Sequence, residues 1–187
     1  MKRFKEIIKG QRIVLKRNKP KIKIAKKIFE TINTNRKHLR PWLEWEKNTL
    51  REEDSLKYLF NEEEKTKKRE KIQYGIYLKN KYIGNIGIFD IDKINKSAEI
   101  GYWLSHEFTR NGYTTEALKL IEKELFYSLG LNRIQIKCDE KNIASSFVAK
   151  KCNYKFEGML RQNNYSYHFK AFRNTLIFSK LKSDTKK

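Results

Sequence analysis

The stretch from Ser97 to Thr115 carries the residues best suited to chemistry: an apolar strand, a polar turn and the start of a helix. The strand holds one carboxylate, Glu99, among Ile100, Tyr102, Trp103 and Leu104. The turn holds Arg110, Asn111 and Gly112, and the helix then repeats apolar residues at Ala117, Leu118, Ile121, Leu125 and Phe126. That spacing is helical. A helix starting at such a turn aims free backbone N–H groups outward, with the positive end of its dipole behind them. The chemistry offered is anion binding, and phosphate is its commonest object. The amides of Arg110, Asn111, Gly112, Tyr113, Thr114 and Thr115 are the candidate ligands, and Arg110 adds charge. Gly112 lacks a Cβ, so a ligand can approach the backbone closely. Read alone, the turn is equally a plain connection.

A second element follows downstream. It runs from Asn142 through Ser145, Phe147 and Asn153 to Glu157-Gly158. Together the two resemble motifs A and B of the GNAT superfamily of N-acetyltransferases, and more narrowly the RimJ/RimL-like type that acetylates ribosomal-protein N-termini. The resemblance rests on Ala98-Glu99-Ile100-Gly101-Tyr102-Trp103-Leu104, on the turn after it, and on Asn-x-x-Ser ahead of the Glu-Gly close. It covers roughly residues 11–180. It departs from the family pattern at Thr109, where Gln or Arg is usual, at Thr114, where Gly or Ala is usual, and at Asn153, where Gly is usual.

The resemblance implies acetyl-CoA as co-substrate. Its pyrophosphate would lie on the amides of residues 110–115. Its pantetheine arm would pair with the strand end at Trp103 and Leu104, in the gap where that strand splays from the next. Asn142 and Phe147 belong to the same cofactor side. Amine acetylation needs a neutral amine to attack and a departing thiolate to be protonated. The tyrosine many relatives use for the second task is replaced here by Ala149; Ser145, three after Asn142, matches the serine to which RimL-like enzymes assign it, and the plainer reading of Ser145 is a hydroxyl at a helix start. Glu99 is the candidate base, against the reading of a glutamate on a solvent or cleft face. Trp42, Trp45, Tyr102 and Trp103 line the acceptor cleft or pack in the core.

The elements that must position these groups are also legible. The 187 residues make one domain: an extension at 1–10, the acetyltransferase domain at 11–181 and a polar tail at 182–187. Strands are expected at 12–17, 71–78, 82–90, 97–104 and 132–138, with a closing pair at 154–167 and 173–181. Helices are expected at 22–32, around 39–45, at 51–65, 112–129 and 144–152. The fold class is α/β (α+β): a mixed, mainly antiparallel, splayed seven-stranded sheet with helices on both faces, as the resemblance implies.

Formal charge is +21 and the pI about 9.9, from 43 basic and 22 acidic residues. Such a charge attracts polyanions and supports ribosome association, or else reflects a general bias toward lysine. The segment 42–64 reverses the sign, with eight acids against Lys47, Arg51 and Lys57. It is either an acidic rim for a basic substrate or a solvated face with local ion pairs. Cys138 and Cys152 are expected as buried free thiols, and the three histidines form no metal pattern, so no metal is expected. The N-terminus lacks an apolar signal segment and no run is long enough to span a bilayer. The expected setting is cytoplasmic, with no membrane partner. The acceptor is read as a protein N-terminus or a small amine such as an antibiotic or polyamine. The competing class is a non-catalytic CoA- or RNA-binding protein. A homodimer is the oligomeric expectation from the family.

Overall fold

The computed structural model describes residues 4–185; the extreme ends of the expected extension and tail, 1–3 and 186–187, lie outside the described residues. The chain runs β1 (Ile7–Lys9), β2 (Ile13–Arg17), α1 (Ile22–Thr34), α2 (Arg36–Leu39), α3 (Glu52–Lys68), β3 (Ile72–Leu78), β4 (Lys81–Asp92), β5 (Ser97–Leu104), α4 (Tyr113–Lys123), β6 (Arg133–Asp139), α5 (Ile143–Lys151), β7 (Lys155–Ser166) and β8 (Ala171–Leu181). Short 3₁₀ turns sit at Glu44–Asn48, His106–Phe108 and Lys182–Thr185, and α4 widens into a π turn over Glu124–Ser128.

One sheet organises these elements, in the order β1-β2-β3-β4-β5-β6-β8-β7. It has eight strands where seven were expected: Ile7–Lys9, read as extension, pairs antiparallel with β2. Three residues are too short to show a period, which is why this strand escapes sequence reading. All neighbours are antiparallel except β5 and β6. The expected tail also gains structure, since Leu181 N–H donates to Asp184 at 2.9 Å across the last turn.

Both faces of the sheet are covered. The larger core joins the central strands, through Ile72, Tyr74, Ile86 and Ile100, to Ala117, Ile121 and Phe126 of the α4 segment and Ala149 of α5. The smaller core joins Ala25, Ile28 and Ile32 of α1 and Leu59 of α3 to Tyr77 and Tyr82. The spacing of Ala25, Ile28 and Ile32 is the apolar stripe that makes α1 a helix on a sheet. In α3 the buried stripe is Ser55, Leu59, Glu62 and Thr66. Glu62 is tolerated there because Lys71 (2.8 Å) and Gln73 (3.3 Å) meet its carboxylate. Gly130 (φ +73°) and Asn153 (φ +62°) take the left-handed conformation expected after their helices. Both cysteines are buried and free. Among the described residues no helix is long and apolar enough to cross a membrane.

Candidate active site

The sheet opens at the point where the strand-turn-helix motif sits. β5 and β6 pair only at Ser97–Arg133, Ala98–Ile134 and Glu99–Gln135. Beyond that, β5 continues to Leu104 along β4, and β6 continues to Asp139 along β8. The strands diverge, so one edge of β5 from Ile100 to Leu104 carries backbone N–H and C=O groups without a strand partner. Backbone polar groups inside a sheet demand partners, and an extended arm bearing amides can supply them. Trp103 and Leu104 lie on this edge, as the sequence reading placed them. β4 is drawn close at the same height: a Cβ on Gly84 would sit 2.3 Å from the Trp103 carbonyl oxygen. The Trp103 ring turns into the smaller core, near Trp45 (6.2 Å) and Tyr82 (6.1 Å).

Strand alternation sorts the splay into two sides. Ile100, Tyr102 and Leu104 face the larger core; Glu99, Gly101 and Trp103 face the other way. On the first side α5 presents Ser145. Asn142 caps α5 by accepting the Ser145 N–H at 3.1 Å. The Ser145 hydroxyl donates to the Tyr102 phenol (3.3 Å), which donates in turn to the Ser145 carbonyl (3.1 Å). These bonds fix the hydroxyl at the edge of the splay. Burial pushes the Tyr102 phenol up, with the hydrogen bond to Ser145 opposing it. Burial likewise raises the Cys138 thiol, again opposed by Ser145. The cluster is therefore neutral at physiological pH.

On the second side Glu99 is part exposed. Its carboxylate meets Lys137 at 2.8 Å and accepts from Gln135 at 3.3 Å. The apolar strand environment read from sequence is thus replaced by an ion pair, because Lys137 comes from β6.

The turn at the head of α4 has the expected form. Gly112 (φ +78°) and Arg110 (φ +63°) are both left-handed. The N–H groups of Arg110 to Thr115 precede the first intrahelical bond of α4, which runs from Glu116 N–H to the Gly112 carbonyl at 3.0 Å. They border a cleft of about 570 Å³ whose lining includes Arg110, Gly112, Thr115, Lys119 and Lys151. Cations and free amides in one cleft fit a phosphate-bearing ligand. Tyr113 and Thr114 form the first helical residues, and Tyr113 lies under Arg12, 4.8 Å from guanidinium to ring. Phe147 is 60% exposed on the outer side of α5, against Lys151, and does not line this cleft.

Sequence reasoning missed Arg12. Its guanidinium bonds Glu116 (2.8 Å) and the Asn111 carbonyl (2.9 Å), and its amide bonds Glu116 (2.8 Å). Burial alone would raise the Glu116 carboxyl, but these bonds pull it below the usual carboxylate range. The start of β2 is thereby tied to the turn. No local pattern signals a contact between residues so far apart in sequence.

On the opposite face several carboxylates of the acidic segment pair with bases outside it. Glu46 is buried between Arg36 (3.0 Å) and Arg40 (2.6 Å). Glu63 meets Arg17 (2.9 Å), Glu64 meets Lys67 (2.6 Å), and Asp54 accepts two amides at the start of α3. Glu46, Glu62 and Glu63 are thus neutralised by bases within the fold, while Glu53 and Glu64 stay exposed. Glu46 braces the 42–48 segment, onto which the β7–β8 turn folds. Tyr167 N–H donates to Glu44 (2.8 Å), and Phe169 lies 5.9 Å from Trp42. Trp42 and Trp45 thus stand beside the open face of the splay.

Comparison with known proteins agrees with this geometry. Residues 12–155 match the acetyltransferase (GNAT) domain family. The ribosomal-protein-serine acetyltransferase of Escherichia coli (strain K12) is 29% identical over 141 residues, covering 75% of this chain and 79% of the relative. The structure of RimL, a ribosomal α-N-protein acetyltransferase in complex with coenzyme A, superimposes with a TM-score of 0.88 at 22% identity, over 94% of this chain and 98% of that one. The acetyltransferase MccE, of microcin self immunity, in complex with acetyl-CoA and AMP, gives 0.85 at 26% identity, over 92% and 93%. A sheet splayed beside a free-amide turn, and a family match over most of the chain, lead to one conclusion: the chain belongs to the GNAT acetyltransferase family and is an acetyl-CoA-dependent N-acetyltransferase.

Proposed function

We propose that this enzyme acetylates the N-terminal amine of a protein, a ribosomal protein in the first instance. The observation that carries the reading is the open edge of β5 flanked by Ser145 on one face and Glu99 on the other. The likeness to a ribosomal-protein-serine acetyltransferase supports the choice of acceptor. In this reading the amides of residues 110–115 hold the pyrophosphate and the edge at Trp103 and Leu104 holds the arm. Glu99 takes the proton the acceptor ammonium must lose. The Ser145 hydroxyl gives a proton to the departing thiolate. Trp42, Trp45 and the β7–β8 turn shape the acceptor side.

The charge of +21 supports approach to the ribosome, and the two buried free thiols suit a reducing cytoplasm. Strand β7 forms a sheet edge with Phe156, Met159 and Leu160 exposed, which supports pairing of two copies. A small-amine acceptor is the second reading, since MccE, 26% identical, is an acetyltransferase named for microcin self immunity and not for a ribosomal protein. The experiment that separates the two is thiol release on peptides with free N-termini against release on small amines.

Two residue tests belong here. Arg110→Ala removes one charged contact to phosphate and is expected to weaken acetyl-CoA binding about tenfold, from roughly 1.5 kcal/mol for a charge-assisted bond. Unchanged affinity by calorimetry would remove Arg110 from the phosphate site. Glu99→Gln is expected to lower turnover most at low pH, where the acceptor is an ammonium that needs a base, and least at high pH, where it is already neutral. A parallel drop at every pH in the rate profile would assign Glu99 another task.

A further inference from the structure

We propose that Lys137 is a self-acetylation site, where the enzyme transfers acetyl to its own side chain when no acceptor amine is present. The inference rests on reading the splay as the thioester site and Glu99 as the base. Lys137 follows the last β5–β6 pair, Glu99–Gln135, by two residues, so its side chain projects from the diverging part of β6. By strand alternation it shares the face of Gln135 and Glu99, away from Ile136 and Cys138, which are buried in the larger core. Its side chain is 38% exposed, and its Nζ lies 2.8 Å from the Glu99 carboxylate. An amine on a flexible four-carbon stem is therefore held against the one carboxylate placed to receive an acceptor's proton.

The reaction balances with these groups alone. Glu99 takes a proton from the Lys137 ammonium. The neutral Nζ attacks the thioester carbonyl, the N–C bond forms and the C–S bond breaks. The sulfur leaves as thiolate and gains a proton from the Ser145 hydroxyl; the attacking nitrogen sheds its second proton, which restores that hydroxyl by way of solvent, and the proton on Glu99 is the one released to solvent. The products are acetyl-Lys137 and coenzyme A. Acetylation removes the lysine charge, so Glu99 loses its counter-ion and the cleft gains a neutral amide at its mouth. Turnover on an acceptor is then expected to slow after incubation with acetyl-CoA alone.

The test incubates the full chain with acetyl-CoA and no amine, then maps acetyl groups by mass spectrometry across a pH series. Lys23 and Lys26, exposed on α1 without a carboxylate partner among the described residues, report chemical background. The expected result is labelling of Lys137 about tenfold above those two, as positioning effects allow. It should rise with pH, be independent of protein concentration, and be abolished in Ser145→Ala. Equal labelling of all three lysines, or none at Lys137, overturns the proposal. A peptide-acceptor assay on the same preparation distinguishes the causes. Peptide turnover without Lys137 label removes the self-acetylation site only, whereas loss of both removes the reading of the splay as well.

Discussion

Ser145→Ala is expected to lower kcat by about two to three orders of magnitude, the range of a positioned general acid, while leaving acetyl-CoA affinity nearly unchanged. The separation follows from geometry. Ser145 stands at the first turn of α5, its N–H held by Asn142 and its hydroxyl donating to the Tyr102 phenol of β5. The phosphate turn stands at the head of α4, on separate backbone. Deleting one hydroxyl leaves Asn142, Tyr102 and the turn in place, so the cofactor still seats. What is lost is the proton for the thiolate, which then must come from water. The check is kcat on a peptide acceptor beside acetyl-CoA affinity by calorimetry. Unchanged kcat would return Ser145 to the plainer part of a helix-start hydroxyl, and a fall in affinity matching the fall in kcat would mean that the substitution damages cofactor seating.

Lys180→Met is expected to cost about 3–5 kcal/mol at neutral pH, the usual result of leaving one partner of a buried pair behind. Lys180 and Glu122 are both buried and 2.7 Å apart, and Lys180 also donates to the Cys152 carbonyl at 2.9 Å. The pair joins β8, α4 and the end of α5 beneath the site. Burial already pushes the Glu122 carboxyl above its ordinary value, with Lys180 opposing. Without Lys180 the burial is opposed only by Tyr154 and Lys119, and the folded-state value climbs further. In the unfolded chain Glu122 ionises near the ordinary carboxylate value. As pH rises past that value, the unfolded state sheds the proton readily and the folded variant does not. Stability is therefore lost as pH rises, and the deficit shrinks on acidification. Urea unfolding at pH 7.5 and pH 5 measures both limbs. Combining Glu122→Leu with Lys180→Met should recover most of the loss, since no buried charge is then stranded. A loss that is the same at both pH values, and not recovered in the pair, would mean that packing rather than the stranded carboxylate is responsible.

How much was legible from sequence follows the range of the forces involved. The phosphate turn could be read because everything that makes it is local: a strand, a left-handed glycine and an amphipathic helix within a few turns. The same holds for Gly130 and Asn153, whose left-handed caps depend on neighbours alone. The buried stripe of α3 is not legible locally, because its charged member Glu62 is made tolerable by Lys71 and Gln73, beyond the helix. The acidic segment was left between two readings for a similar reason. Glu63 finds Arg17 on β2, and Glu46 finds Arg36 and Arg40 before it, partners that lie outside the segment. The catalytic neighbourhood was half legible. Ser145 came from the motif resemblance and Glu99 from its place in an otherwise apolar strand, but the partners they bond, Tyr102 and Lys137, meet them only when β5, β6 and α5 converge. Arg12 clamps the turn from the far end of the chain and left no local mark. Strand β1 was missed because three residues carry no period.

The most direct test of the central claim is coenzyme A thiol release from acetyl-CoA, followed side by side on basic peptides with free N-termini and on a panel of small amines, with acetyl-CoA binding measured on the same protein. The account predicts binding, and thiol release with the peptides that disappears when their N-termini are blocked. Release on small amines alone would contradict the proposed acceptor. Absence of acetyl-CoA binding would contradict the site itself, and would mean that Thr109 and Thr114 have undone the phosphate turn.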